Sequence, residues 1–306
     1  MWKATAPTNI ALIKYIGKND DNIPLNTSLS YTLEHFTTEV TLELSDKNDV
    51  YINQMGLEGA SVTRFMKHLA YIKKMYGCSE NFQVTSQNNF PHSSGIASSA
   101  SSFAALTLCA VKAVCDLKNM DLPTAEQMSS VSRIGSGSSC RSFFSPWCLW
   151  TKAGAGKIDV KITELLHDLA VIDINPKKTS SSRAHKLVQT SLLMDSRPKR
   201  AAIRLDKLIS SLNNLEWSSV YQLCWEEFWD MLVLFETSSP SFGYLQPDTL
   251  RVLYFIREFW EKMGDGPVVT VDAGPNVHLL WRLDQSGLQR SLKENIGVRF
   301  LENAIR

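Results

Sequence analysis

The strongest constraint on this chain is the run NFPHSSGIASSASSFAA at Asn89–Ala105. A proline stands near its start, Gly95 and a dense set of hydroxyls fill it, and small apolar residues follow. Glycine lets a backbone turn tightly and approach a ligand closely. Beyond it, Ala100, Phe103, Ala104, Leu106, Thr107 and Ala110 recur at helical spacing, which predicts a helix over about 97–116. A loop feeding a helix N-terminus presents free N–H groups and the positive end of the helix dipole, a setting that suits phosphate. The serines add hydroxyl donors or magnesium ligands. Taken alone, the pattern also describes an ordinary loop and N-cap, and it lacks the Gly-Lys-Ser/Thr of a Walker A loop. Its weight comes from company: glycine, serine and charge recur at Ala6–Lys18 and Gly135–Ser142, and Asp272 sits in a tight turn.

Composition narrows the partners. The 306 residues suffice for one large domain or two ordinary ones, and 44% apolar with 21% charged content is globular. A net charge of +1 gives no global basic field, so neither nucleic acid nor membrane is expected as a partner. Placed donors for a small anionic ligand remain compatible with it. The six cysteines form no CxxC pair and have no histidine at metal spacing. No hydrophobic run is expected to reach membrane-spanning length, and MWKATAPTN lacks a signal-peptide core. The expectation is a cytoplasmic chain with reduced thiols.

Along the chain, Ala6–Lys18 reads as a strand running into a loop at Gly17. Leu25–Leu33 and Thr38–Leu44 alternate as two half-buried strands. Val62–Tyr76 has helical spacing, and Phe82–Gln87 is a short strand into the glycine/serine loop. Thr124 caps a helix running to about Gly135. Trp147–Lys152 and Asp168–Asn175 read as strands. Helices follow at about 197–213, 216–236 and 247–263, their aromatic residues taken as core. Strands Val268–Val271 and Val277–Leu283 and a helix at Gln285–Asn295 complete the order. This predicts an α+β chain of two domains, 1–185 and 186–306, with the boundary in the region 176–190 and a ligand in the cleft between them.

Four constellations carry candidate chemistry. Gly135–Ser142 (GSGSSCRS) combines free backbone, the hydroxyls of Ser136, Ser138 and Ser139, and the planar donor fork of Arg141. Burying so many donors is costly without an anionic or polar guest. Ala6–Lys18 offers Asn9, Lys14, Tyr15 and Lys18; the two lysines either converge on one anion or are ordinary surface residues. Asp272, in VDAGPN, is either an Asx-turn acceptor or a base at a pocket floor. Thr179–Lys186 (TSSSRAHK) reads as a hydroxyl/basic loop with His185 on the surface.

These segments resemble the GHMP small-molecule kinase superfamily and, within it, the diphosphomevalonate decarboxylase family. APTNIALIKYIGK with LNTSLSYTL is similar to its opening signature, PHSSGIASSASSFAAL to its phosphate loop, and RIGSGSSCRS and VDAGPNV to decarboxylase motifs. The resemblance runs from about residue 4 to 282. It implies a two-domain GHMP kinase fold, with a ribosomal protein S5 domain 2-like N-terminal domain, an α/β C-terminal domain and the active site in the cleft. It also implies ATP- and Mg²⁺-dependent conversion of mevalonate diphosphate to isopentenyl diphosphate and CO2, through a 3-phospho intermediate, in an enzyme that is often a homodimer.

By the same resemblance Asp272 is the base or orienter at the 3-hydroxyl, Arg141 binds the substrate carboxylate, and Asn9 and Lys14 lie beside the reacting centre. Tyr15, Lys18, Ser136, Gly137 and Ser138 face the diphosphate. Pro91–Ser102 is the ATP-phosphate loop, with Pro91, Ser94, Gly95, Ser98, Ser99 and Ser101 as contacts and Ser99 as a magnesium ligand. Two departures stand out. Ile16 replaces the family's tryptophan. The run SSSRAHKLVQTS at 180–191 lacks the family's Gly-Met-x-x-Ser, so Ser181, Ser182 or Arg183 would have to replace a diphosphate-binding serine. A monophosphate substrate, or a kinase that stops at the 3-phosphate, is the alternative.

Overall fold

The computed structural model describes residues 1–302 except 53–54, 57–59, 91–97 and 176–178. Its spine is one long strand where the sequence suggests two. β1 (Trp2–Ile13) runs antiparallel along β2 (Ser28–Leu44), and the register jumps from Pro7↔Thr37 to Thr8↔Leu33. Residues 34–36 form a bulge there. Glu34 and His35 interrupt the apolar alternation, but the chain kinks without turning back. Strands β3 (Asp49–Ile52), β4 (Met55–Gly56) and β5 (Phe82–Asn88) extend the sheet from the C-terminal half of β2. β6 (Trp147–Trp150) and β7 (Ala155–Lys157) extend it from the N-terminal half.

α1 (Ala60–Met75), α2 (Ser98–Lys118) and α3 (Ala125–Gly135) belong to this half. Thr124 caps α3 in a reciprocal capping box with Gln127, the signal the sequence displays. The core between sheet and helices joins Val40, Leu42, Phe82 and Val84 to Phe65, Leu69 and Phe103. Contrary to the expectation drawn from composition, α2 is long and apolar enough to cross a membrane. It is instead a core helix: Ala100, Phe103, Ala104, Leu106, Ala110 and Val114 are all buried, and its small residues let it lie against β1 and β2.

The second sheet is antiparallel, in the order β11-β8-β10-β9, from β8 (Leu166–Val171), β9 (Val268–Val271), β10 (Val277–Trp281) and β11 (Arg299–Glu302). β8 lies before residue 185 in sequence, yet it is an inner strand of this sheet. Among the helices, α4 (Ser181–Leu187) occupies the stretch read as a loop: Ser180 caps it by accepting from the Arg183 N–H. α5 (Arg197–Asn214), α6 (Trp217–Glu236) and α7 (Pro247–Met263) match their expected spans within a residue or two, and α8 (Ser286–Ile296) follows β10. Left-handed residues end three of them, Leu215 after α5, Gly264 after α7 and Gly297 after α8.

A second core joins Phe228, Phe235, Val252, Val268 and Leu279 to Ile10, Leu12 and Ile13 of β1. Each fully buried side chain of this size contributes about 1.5–3 kcal/mol, so β1 is held from both halves. Between α5 and α6, the fully buried Arg197 pairs with the fully buried Glu227, and Arg200, Arg204 and Asp230 surround the pair.

Candidate active site

Where β1 ends, Lys14 begins a short irregular path. Its N–H donates to Glu227 Oε1 at 2.9 Å, and its carbonyl accepts from Asn26 Nδ2 at 3.0 Å. The main chain of Lys14 is thus gripped on both sides. Gly17 has φ +77, and a Cβ there would meet Met194 at 2.4 Å and Leu25 at 2.9 Å. Only glycine fits both the conformation and the space. Lys14 is not a surface lysine: it is 1% exposed, and its Nζ lies 2.7 Å from Asp272 Oδ1. Asp272 follows β9 directly, and the Gly274 N–H closes the turn onto the Asp272 carbonyl at 2.8 Å.

The pair is electrostatically coupled. Burial pushes the Asp272 carboxyl up, but Lys14, His278 and Arg141 outweigh it and hold the group below its ordinary value. Burial lowers the Lys14 ammonium, against the pull of Asp272 and Glu227. Asp272 is therefore a carboxylate at neutral pH.

Arg141 lies in a tight helical turn at Gly137–Phe143. Its Nε donates to Asn9 Oδ1 at 2.9 Å and one terminal nitrogen to Ser28 Oγ at 3.3 Å; the guanidinium sits 5.7 Å from the Trp150 ring centroid. Asn9 is in turn fixed by donating to Ser142 Oγ at 2.8 Å and the Ser138 carbonyl at 3.3 Å. These partners of Arg141 are all neutral. Gly137 lets Tyr15 lie on the turn, since a Cβ would meet the phenol oxygen at 2.5 Å.

Lys14, Tyr15, Lys18, Arg64, Arg141 and Asp272 line one cavity of about 300 Å³ with Ser98, Ser99, Ser136, Gly137, Ser138, Ser180, Ser181, Ser182 and His185. Among the described residues, four cationic side chains, Lys14, Lys18, Arg64 and Arg141, thus line the cavity with one carboxylate, Asp272. Burial lowers the Lys18 ammonium, and Arg64 and Lys186 lower it further. A polyanion is the guest such a wall favours. Ser98 and Ser99 begin α2, so the free N–H end of a 21-residue helix opens on the same space. No group of three or more His, Cys, Asp or Glu residues able to hold a metal exists among the described residues.

The structure brings together Lys14, Tyr15, Lys18, Ser98, Ser99, Ser136, Gly137, Ser138, Arg141, Ser182 and Asp272. Asn9 is a buried support behind Arg141. Ser101 is fully buried, and its hydroxyl meets Thr38 Oγ1 at 2.6 Å, so it ties α2 to β2 instead of facing the cavity. Arg183 is exposed and does not line the cavity. Pro91, Ser94 and Gly95 lie outside the described residues. His185 is the clearest correction: it is buried on α4, and its Nδ1 accepts the Gly17 N–H at 3.1 Å. Arg64, on α1, had no local signal; it reaches the site by donating to the Gly135 carbonyl at 3.1 Å.

Comparison with known proteins agrees with this geometry. Residues 6–160 match the family described as the diphosphomevalonate decarboxylase-like N-terminal domain. The fold is similar to the crystal structure of a mevalonate diphosphate decarboxylase from Legionella pneumophila, 45% identical, with a TM-score of 0.93 over 98% of this chain and 99% of that one. It is also similar to the mevalonate diphosphate decarboxylase from Enterococcus faecalis, described for its mevalonate diphosphate mediated ATP binding mechanism (27% identical, TM-score 0.86, 98% and 95% covered). A third structure, MDDEF in complex with MVAPP, AMPPCP and magnesium, is 27% identical with a TM-score of 0.88 over 98% and 95% of the two chains.

Proposed function

The chain belongs to the diphosphomevalonate decarboxylase family, and from that premise we infer how its own residues carry out the ATP-dependent decarboxylation of mevalonate 5-diphosphate on a GHMP kinase fold. The observation that carries the reading is the convergence of Lys14, Arg141 and Asp272 in one cation-rich cavity.

A tertiary alcohol leaves poorly, so it is phosphorylated first. Asp272 accepts the hydrogen bond of the 3-hydroxyl and takes its proton as the oxygen–phosphorus bond forms. A carboxylate held below its usual range is a weak base. Its part is therefore to orient the hydroxyl and receive the proton late. Lys14 keeps it ionised and places positive charge beside the phosphoryl group. The C–O bond to the new phosphate then breaks, and positive charge develops at the tertiary carbon. The carbon–carboxylate bond gives its electrons to the new double bond, and CO2 leaves. Arg141, whose hydrogen-bond partners among the described residues, Asn9 and Ser28, are neutral, pairs with that carboxylate in the ground state and positions it. Tyr15, Lys18, Ser136, Ser138 and Ser182 supply donors to the diphosphate.

Magnesium-bound ATP supplies the phosphoryl group when present. The residues fit it: the N-terminus of α2 with Ser98 and Ser99 suits nucleotide phosphates, and the Ser99 hydroxyl would be the protein's ligand to the magnesium that accompanies them. We also propose that residues 1–185 and 186–306 form the two halves around the substrate, β8 being the strand that the first lends to the second sheet. A cytoplasmic homodimer completes the proposal.

The altered 180–191 segment supports one second reading, a preference for the 5-monophosphate. Coupled measurement of ADP and CO2 release with both phosphorylated mevalonates decides. Stoichiometric ADP and CO2 with the diphosphate preferred is the expected result; ADP without CO2 would mean a kinase, and a reversed preference the monophosphate.

A further inference from the structure

His185 has no part in the roles assigned above, yet its ring is built into the cavity wall. It is 9% exposed and lies 4.4 Å, centroid to centroid, from the Tyr15 ring. Its Nδ1 accepts the Gly17 N–H, so that nitrogen carries no proton. Burial, Lys18 and Arg141 push the ring's pKa down to about 3, so it is neutral at physiological pH. The single ring proton therefore sits on Nε2. Among the described residues Nε2 has no hydrogen-bond partner, and it is not among the buried polar atoms sealed from solvent. His185 lines the cavity shared with Lys18 and Ser180–Ser182.

We propose that His185 binds substrate, its Nε2–H donating to a phosphate oxygen of the 5-diphosphate while Gly17 fixes the ring's tautomer. This rests on the function proposed above and names a donor for the end of the substrate where this chain departs from its family. A neutral donor adds a hydrogen bond without adding a further cation beside Lys18, whose ammonium is already disfavoured by Arg64 and Lys186.

Two substitutions separate binding from architecture. His185→Asn keeps an acceptor near the Gly17 N–H but loses the distal donor; His185→Gln keeps a distal N–H and loses the near acceptor. Affinities for mevalonate diphosphate and for inorganic pyrophosphate are measured by calorimetry, alongside kcat, KM and thermal melting. A hydrogen bond to a charged group is worth about 1.5–3 kcal/mol, or roughly 10- to 150-fold in affinity. His185→Asn should lose about that much for both ligands with an unchanged melting temperature, and His185→Gln should stay close to wild type. The reverse ranking, or equal affinities throughout, overturns the proposal. As a measurement on the unaltered enzyme, the His185 Nε2–H proton resonance should move downfield when pyrophosphate is added; an unmoved resonance overturns it. If wild type releases no CO2 from mevalonate diphosphate but pyrophosphate binding still depends on His185, the functional reading fails and the subsite stands.

Discussion

The Lys14 ammonium lies 2.7 Å from Asp272 Oδ1, although 258 residues separate the two in sequence. The contact crosses from the end of the first half's β1 to the turn after β9 in the second sheet. Its coupling sets a pH expectation. Lys14 lowers the Asp272 pKa, so replacing it with methionine should raise that pKa and move the acid limb of kcat/KM to higher pH. The sign for stability is the same. A depressed carboxylate stabilises the fold above its unfolded pKa of about 3.9 and loses that contribution as pH falls through the folded value. A pH–rate profile of Lys14→Met with an unmoved acid limb would disprove the coupling.

Arg141→Lys keeps the charge and loses the fork. The loss of one preorganised donor typically lowers the rate by about 10²–10³. Steady-state kinetics should show that loss in kcat/KM for mevalonate diphosphate, with ATP affinity unchanged. A drop below threefold would remove carboxylate binding from its role.

Glu227 holds the Lys14 N–H and balances Arg197 in a site closed to water. Breaking such a pair from one side leaves a buried charge and costs about 3–5 kcal/mol. Glu227→Leu should lose that much in a urea titration. Glu227→Gln, which keeps the acceptor for Lys14, should lose less stability and retain more kcat. Equal kcat for the two variants would mean that the Lys14 main chain does not need this grip.

Gly137→Ala puts a methyl group 2.5 Å from the Tyr15 phenol oxygen. Overpacking costs about 1–3 kcal/mol or is relieved by moving Tyr15. The measurable result should be a raised KM for mevalonate diphosphate with near-normal kcat; unchanged KM would place Tyr15 outside the diphosphate site.

Local signals made much of this fold readable. Thr124 with Gln127 marks the start of α3 as a capping box, and Pro247 with Gly264 brackets α7. Glu34 and His35 break the two-residue period, so the sequence predicts two strands where β2 is one, and only pairing with β1 reveals a bulge there. Three serines at 180–182 give the short helix that carries His185 the look of a surface loop. The burial of His185 comes from Gly17 and Tyr15, far away in sequence. Ser101 stands within the glycine/serine pattern, but the phase of α2 turns it toward Thr38. Lys14, Asp272 and Arg141 stand in motifs whose spacing says nothing about distance. Arg64 belongs to no motif, and no sequence period distinguishes it from an ordinary solvated arginine on α1.

The central claim is that Asp272 receives the 3-hydroxyl proton beside Lys14. Single-turnover release of CO2 from carboxyl-labelled mevalonate diphosphate by Asp272→Asn, with ATP binding followed in parallel, tests it most directly. Proton transfer by a positioned group contributes about 10²–10⁴ in rate. The expected result is a loss of that size in both ADP and CO2 formation with ATP affinity intact. A CO2 burst at the wild-type rate would contradict the account.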